Sequence, residues 1–305
     1  MRVPATFRAG KLARSQSGIA LVMVLWIMLL VTISTSAYTL MARMDQLEAH
    51  SVLWGTRARM GAEAGINLAI LSLRDPDEAT RWVPDGRSYD LWFQDMRLEL
   101  RITDERGKLD VNTASEITLQ QLFTGHGMAL DQAEYLAAAV HDWIDVDEIE
   151  RANGAEAETY LSNGLGVGPG NRPFVMVEEL LQVMGMSWES FQSLEPGLTV
   201  YSEANEPDPA YAPVEALLAL PDMTPDDALN FVTERHSQDA GSGLGVALPN
   251  GRVAMARGRG LTYSIQAKAT LPNGVWDQVE TTIRLGGSPD GRPFRFLRWR
   301  EGFHH

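Results

Sequence analysis

The 305-residue sequence contains no cysteine. This absence excludes a disulfide scaffold, thiolate catalysis, iron–sulfur clusters and cysteine-ligated zinc. Positive charge is also scarce, because 26 Lys and Arg residues stand against 40 Asp and Glu residues, for a formal net charge of −14. Four of the basic residues (Arg2, Arg8, Lys11 and Arg14) lie in the first 18 residues, which contain no acid, so the rest of the chain is still more acidic. Such a body repels polyanions, and we expect no nucleic-acid binding.

The sequence also lacks the short signatures of common enzymes. It contains no His-Glu-x-x-His motif, no Gly-x-Ser-x-Gly motif and no P-loop, and its six histidines are scattered. Paired carboxylates could serve as general acid and base, but none falls in a pattern that predicts a cleft. We therefore expect no catalytic activity, and a membrane-anchored periplasmic enzyme is the less favoured alternative.

An uncharged apolar run covers 22 residues, from position 19 to position 40. As a helix it would extend about 33 Å, which is enough to cross a hydrocarbon core of about 30 Å. Because basic residues flank this run on its N-terminal side, we expect that end in the cytoplasm and the bulk of the chain in the periplasm. The alternative is a secretory signal peptide, but its apolar stretch is usually shorter and ends at a small-residue cleavage site. Here the small residue Gly18 precedes the run.

The segment RSQSG at positions 14–18, followed by IALVMVL at positions 19–25, resembles the type III leader of type IV pilins and pseudopilins. The resemblance implies that a prepilin peptidase cleaves between Gly18 and Ile19 and methylates the new amino group of Ile19. It also implies a single-pass protein that is held in the inner membrane before assembly.

The fifth mature position is Met23, where major subunits of that family carry glutamate. In the family this glutamate neutralises the terminal ammonium of the neighbouring subunit above, inside an apolar bundle where an unpaired charge is costly. The absence of this glutamate and the length of the chain together make the sequence resemble the K-type minor pseudopilin of type II secretion systems. The resemblance implies a subunit at the pseudopilus tip, joined by I-type and J-type minor pseudopilins and by other pseudopilins. A minor pilin of another type IV filament, for pili or DNA uptake, is the leading alternative.

The rest of the chain predicts an α+β fold. Small and apolar residues at positions 47–71 predict a helix, either continuous with the membrane segment and close to a sheet or separate from it. Period-two alternation predicts one half-buried strand over positions 91–103 and further strands at 262–267 and 279–284, with a hairpin at 272–274. The sequence between them reads as helical throughout. We therefore expect a pilin-like long N-terminal helix packed on an antiparallel sheet, with a large all-helical (SAM-like, helix-hairpin-helix) domain inserted between strands. The predicted segments are a leader (1–18), an assembly helix (19–42), a first pilin-like part (43–111), the helical domain (112–240) and C-terminal strands with a tail (241–305).

Within the insertion, three stretches resemble helix-hairpin-helix motifs, at positions 117–143, 177–191 and 214–236. Such motifs often bind DNA phosphates, but acidic residues surround them here. Several segments also resemble landmarks of the K-type family. They are DVNTA (110–114), DWIDVD (142–147), GAEAETY (154–160), EEL (178–180) and LTVY (198–201).

The densest group of oxygen ligands lies between positions 142 and 158. Hard oxygen ligands in flexible loops suit Ca²⁺, and the family resemblance implies a bound calcium ion in the helical domain. The spacing does not match an EF-hand. We predict Asp145, Asp147, Glu156 and Glu158 as ligands, and the alternative is an exposed acidic surface without an ion.

The C-terminal segment at positions 292–300 alternates aromatic and basic residues. This pattern suits contact with an acidic partner or with lipid headgroups, and the alternative is a last edge strand.

Overall fold

A computed structural model describes residues 17–166, 168–238, 245–256, 258–287 and 291–302. The predicted basic leader, up to position 16, lies outside the described residues. The chain divides into two compact units, residues 1–54 and residues 55–305.

The first unit contains the beginning of helix α1, which spans Ser17–Leu73. In this unit the exposed large hydrophobic side chains range from 50% exposed for Val24 to 75% exposed for Tyr38. The hydroxyl groups of Thr32 and Thr35 donate to the carbonyl oxygens of Met28 and Val31 at 2.9 and 2.8 Å. These polar groups are therefore satisfied without water. The helix is long and apolar enough to cross a membrane, which agrees with the predicted single-pass anchor.

The second unit contains the end of α1 and all the described strands. The strands are β1 (Asp85–Phe93), β2 (Met96–Asp104), β3 (Leu109–Asp110), β4 (Leu198–Thr199), β5 (Val246–Ala247), β6 (Val253–Ala254), β7 (Thr262–Thr270), β8 (Trp276–Leu285) and β9 (Phe294–Glu301). The further helices are α2 (Glu116–Gly125), α3 (Leu130–Ile144), α4 (Ala157–Ser162), α5 (Trp188–Leu194), α6 (Val214–Leu217) and α7 (Pro225–Ser237). Short 3₁₀ helices cover Glu105–Gly107, Val177–Gln182 and Glu195–Gly197.

In the described part of the chain, five strands form an antiparallel sheet in the order β1-β2-β7-β8-β9. Helices α2 to α7 all occur between β2 and β7, two strands that are neighbours in the sheet. The predicted fold, a long N-terminal helix with an antiparallel sheet and an inserted helical region, is confirmed. The predicted hairpin at 272–274 joins β7 to β8.

The end of α1 packs on one face of the sheet. Ala62 and Ile66 of the helix share a buried core with Leu98, Leu100 and Ile265 of the strands, all at most 1% exposed. Glycines at positions 61 and 65 allow this close approach, because a Cβ atom at position 65 would lie 2.7 Å from Leu100 Cδ2. Of the two alternatives left open by the sequence, the structure has one continuous helix that lies on the sheet.

Two expectations about secondary structure are wrong. Positions 91–103 do not form one strand, since β1 and β2 meet there in a tight hairpin. Gln94 adopts φ 56° in this turn, a conformation that glycine or asparagine usually supplies, so the sequence carries no turn signal. The insertion is also not helical throughout, because residues 145–156, the described residues of 163–176 and residues 200–213 form loops.

Buried contacts between Arg235 and Asp85 connect the helical region to the sheet. The carboxylate of Asp85, at the start of β1, accepts from Arg87 at 2.9 Å, and Arg235 of α7 donates to the Asp85 carbonyl oxygen at 3.0 Å. Asp85 is 1% exposed and Arg235 is 7% exposed. The helical region is therefore joined to β1 by the buried Arg235, which donates to the Asp85 carbonyl oxygen and lies 3.7 Å from the Asp85 carboxylate.

The basic and aromatic C-terminal segment forms β9, which pairs with β8 at one end of the sheet. Its arginines contact the helical region. Arg298 bonds to Glu178, and Arg298 and Arg300 donate to Glu195 at 3.2 and 2.5 Å. Of the two alternatives for this segment, the structure has the edge strand. Two of its arginines, Arg298 and Arg300, form ion pairs within the chain.

Candidate metal centre and family relationship

A group of carboxylates gathers in the loop that connects α3 to α4. Helix α3 ends at Ile144, Asp145 is its C-cap, and Glu156 is the N-cap of α4. The two ends of the loop are eleven residues apart in the sequence, so the loop must fold back to bring them together.

Asp142, on the last turn of α3, holds the loop in this folded form. Its carboxylate is fully buried and accepts hydrogen bonds from the backbone nitrogens of Ala155 at 2.9 Å and Arg151 at 3.3 Å. Gly154 lies directly over it, since a Cβ atom there would lie 2.0 Å from Asp142 Oδ2. Asn153 turns the chain with φ 64°. The adjoining Asn-Gly pair thus has the conformation and the small size that this turn requires.

The fold brings three of the four predicted ligands together. Carboxylate oxygens of Asp145, Asp147 and Glu156 all lie within 4.8 Å of one another. Glu158, the fourth predicted ligand, is exposed in the first turn of α4 and is not part of this group. Whether any of these residues binds a metal remains a prediction.

Glu156 is the buried member of the group, with only 4% of its surface exposed. Within the described part of the chain, neither of its carboxylate oxygens, nor Oδ1 of Asp145, has a hydrogen-bond partner. Burial, and after it the charges of Asp142 and Asp145, raise the pKa of Glu156 to about 7. A buried carboxylate without partners is costly, and a cation placed between these oxygens would remove that cost.

The sequence analysis missed the roles of two residues here. Asp142 was counted among the acidic residues but not as the anchor of the loop. Arg151 donates to Asp142 at 3.1 Å and also bonds to Asp145. A signal for Arg151 was present, since it is the one basic residue among seven acids between positions 142 and 158.

The donor set suits a hard divalent cation. Three carboxylates supply between three and six oxygen ligands, and Ca²⁺ takes six to eight in flexible geometry. Because Asp147 is exposed and Asp145 is only half-buried, water could complete the coordination. The residues present therefore fit calcium, with Asp145, Asp147 and Glu156 as the group that would hold it.

The predicted assembly residues lie at the start of α1. The predicted cleavage site, between Gly18 and Ile19, falls within the first helical residues, and Ile19 and Met23 are 67% and 60% exposed. Processing at this site remains a prediction.

Comparison with known proteins shows which protein family the chain resembles. Residues 97–203 match the family model described as type II secretion system (T2SS), protein K. Type II secretion system protein K of Klebsiella pneumoniae is 32% identical over 203 residues, which is 59% of this chain and 61% of that protein. The chain is therefore similar to type II secretion system protein K over part of its length.

Further proteins of the same name are also similar to this chain. The protein of this name from Pseudomonas aeruginosa strain PAO1 is 26% identical over 245 residues, 73% of each chain. The aligned part is shorter elsewhere, at about three fifths of the Klebsiella protein and 34% of the Dickeya chrysanthemi protein. The family-model match covers most of β2, helices α2 to α5 and the whole candidate metal centre.

The fold is similar to that of a chain in a solved structure. A chain in the crystal structure of the GspK-GspI-GspJ complex from the enterotoxigenic Escherichia coli type II secretion system aligns with a TM-score of 0.53 at 14% identity. The alignment covers 86% of this chain and 99% of that one. At this identity the likeness establishes the fold.

Proposed function

We propose that this protein is a minor pseudopilin that lies at the tip of the type II secretion pseudopilus and helps to nucleate the fibre. The match of residues 97–203 to the protein K family carries this proposal. The long apolar helix followed by an α+β unit supports it, because such a chain can be held in a membrane and then stacked by its helix. The proposed activity is assembly for the export of folded proteins.

The N-terminus supports the position at the tip. Cleavage after Gly18 and methylation of Ile19 would start the mature chain at the apolar helix. Met23 offers no acid to the terminal ammonium of a subunit stacked above, and an unpaired ammonium in an apolar bundle is costly. The inserted helical region adds bulk to the second unit, residues 55–305. A subunit with both features is best accommodated where no subunit stands above it.

The proposed partners are I-type and J-type minor pseudopilins. The E. coli chain with a similar fold comes from the GspK-GspI-GspJ complex, and we extend that assembly to this protein because residues 97–203 match the protein K model. The proposed orientation has the N-terminus in the cytoplasm and residues 55–305 in the periplasm, anchored in the inner membrane. The N-terminal basic residues support this orientation.

A calcium ion at Asp145, Asp147 and Glu156 is part of the proposal. The unpartnered buried oxygens of Glu156 support it. Such an ion would cross-link the end of α3 to the start of α4, in a chain that has no cysteine for a disulfide. Its proposed contribution is to the stability of the helical region.

Co-purification tests the function. Residues 55–305 form a compact unit with its own cores, so a soluble fragment of residues 44–305 can be mixed with the soluble parts of the I-type and J-type proteins. We expect a ternary complex on size-exclusion chromatography. Three separate peaks, together with a deletion strain that secretes normally but loses twitching or transformation, would favour a minor pilin of another filament.

A further inference from the structure

Arg151 brings a positive charge into the group of carboxylates proposed to hold calcium. Its Nη1 atom donates to Asp142 Oδ1 at 3.1 Å and also bonds to Oδ2 of Asp145. Asp145 is a member of the proposed metal group, whereas Asp142 is the loop anchor. One guanidinium nitrogen therefore joins the anchor of the loop to a proposed metal ligand.

The charge of the segment requires such a partner when no metal is bound. Seven acids lie between positions 142 and 158 with Arg151 as the one base. Like charges this close repel one another, and they do so most strongly where they are removed from water. The guanidinium offsets part of this repulsion, so the loop can fold without an ion.

The same contact opposes metal binding. A divalent cation that is bound by Asp145 would lie close to the guanidinium, and the two positive charges would repel each other. Arg151 is able to move, because its side chain is 39% exposed and stands on the loop rather than on a helix. Asp142 would keep its two backbone hydrogen bonds after the side chain of Arg151 left.

We propose that Arg151 acts as an internal counter-ion that occupies the carboxylate group in the metal-free protein and leaves Asp145 when Ca²⁺ binds. It thereby lowers the affinity for calcium and keeps the metal-free helical region folded. This inference rests on the calcium site proposed above and names how that site is regulated.

The test compares calcium affinity and thermal stability in the detergent-solubilised full chain. Arg151→Met keeps most of the aliphatic stem and removes the charge. Arg172→Met is the matched control, because Arg172 is 52% exposed and forms its ion pair with Glu179, outside the metal group. We expect Arg151→Met to bind Ca²⁺ about tenfold more tightly by isothermal titration calorimetry, or about 1.4 kcal/mol. Its metal-free form should melt at a lower temperature than the wild type, and the control should match the wild type in both measurements.

Arg151→Lys keeps the positive charge but lacks the planar guanidinium group. It provides a second test if Arg151→Met does not fold. We expect its calcium affinity to fall between those of the wild type and Arg151→Met. If the wild type binds calcium and neither substitution raises the affinity, the counter-ion role is wrong while the calcium site stands. If the wild type and both variants all fail to bind calcium, the calcium site itself is wrong. The tip role is judged separately, by co-purification.

Discussion

The contact between α1 and the sheet predicts opposite effects for the same substitution at two glycines of one helix. Gly61 faces the sheet, and a Cβ atom there would lie 2.9 Å from Ala269 Cβ and 2.8 Å from Met96 Sδ. Gly55, six residues earlier, has no atom within 4 Å of its Cβ position among the described residues. Replacing either glycine by alanine brings the same gain in helix propensity, about 1 kcal/mol.

The difference between the two variants isolates the cost of the close contact. Carbon atoms pack best at about 3.5–4.0 Å, so Gly61→Ala must push helix and sheet apart by roughly half an ångström or more. Forcing extra atoms into a packed core usually costs about 1–3 kcal/mol. Met96 can move aside, but the Cβ atom of Ala269 is fixed to the backbone of β7. We therefore expect Gly55→Ala to stabilise the fold by up to about 1 kcal/mol, and Gly61→Ala to be about 1–3 kcal/mol less stable than Gly55→Ala.

Urea denaturation of the 44–305 fragment, followed by tryptophan fluorescence, measures both free energies of unfolding. The wild-type fragment gives the reference. If both variants are stabilised to the same extent, the packing of α1 on the sheet described here is wrong.

Four further outcomes are expected. Met23→Glu should leave protein secretion nearly intact, because a tip subunit has no neighbour above, and a severe secretion defect would contradict the tip position. Calcium at 100 times its dissociation constant should stabilise the fragment by about 2.7 kcal/mol, and a chelator should reverse this. Glu156→Gln should abolish the effect in a melting experiment while Glu158→Gln retains it, and the reverse result would refute the ligand assignment. Arg298→Met should destabilise the fragment by about 1–3 kcal/mol, since it leaves the half-buried Glu195 with one arginine fewer, and an unchanged urea midpoint would show that this contact contributes little.

The parts of the fold that were predicted from the sequence are those with local signals. The apolar run at positions 19–40 and the alternation in β7 and β8 each occur within a single segment. Pro-Asn-Gly at 272–274 marks its own turn. The β1–β2 hairpin was missed because Gln94 is an unusual residue for a positive φ, so the two strands read as one.

The candidate site was predicted only in part, because its geometry depends on contacts across the loop. The group of Asp145 and Asp147 follows from composition, but the position of Glu156 depends on the hydrogen bonds that Asp142 accepts from the loop. Those hydrogen bonds require glycine at position 154, because a Cβ atom there would overlap Asp142. The periodicity of the sequence does not show this contact. Glu158 was predicted together with Glu156 because both follow the Asn153-Gly154 turn, but Glu158 lies in the first turn of α4 and is not part of the group.

The junction between the helical region and the sheet could not be predicted for a similar reason. Asp85 and Arg235 are 150 residues apart, yet they meet in a buried contact. A single acid and a single base in separate segments carry no sequence signal for pairing. Such a pair matters for stability because it is buried, and its burial is known only from the folded structure.

The most direct test of the central claim is the position of this protein in an assembled fibre. Immunogold electron microscopy with an antibody against residues 55–305, on pseudopili assembled in a strain that carries this chain, measures that position. The tip proposal predicts label at one end of each fibre and none along its length. Gold particles spaced along the fibre body, with subunits on both sides, would contradict it.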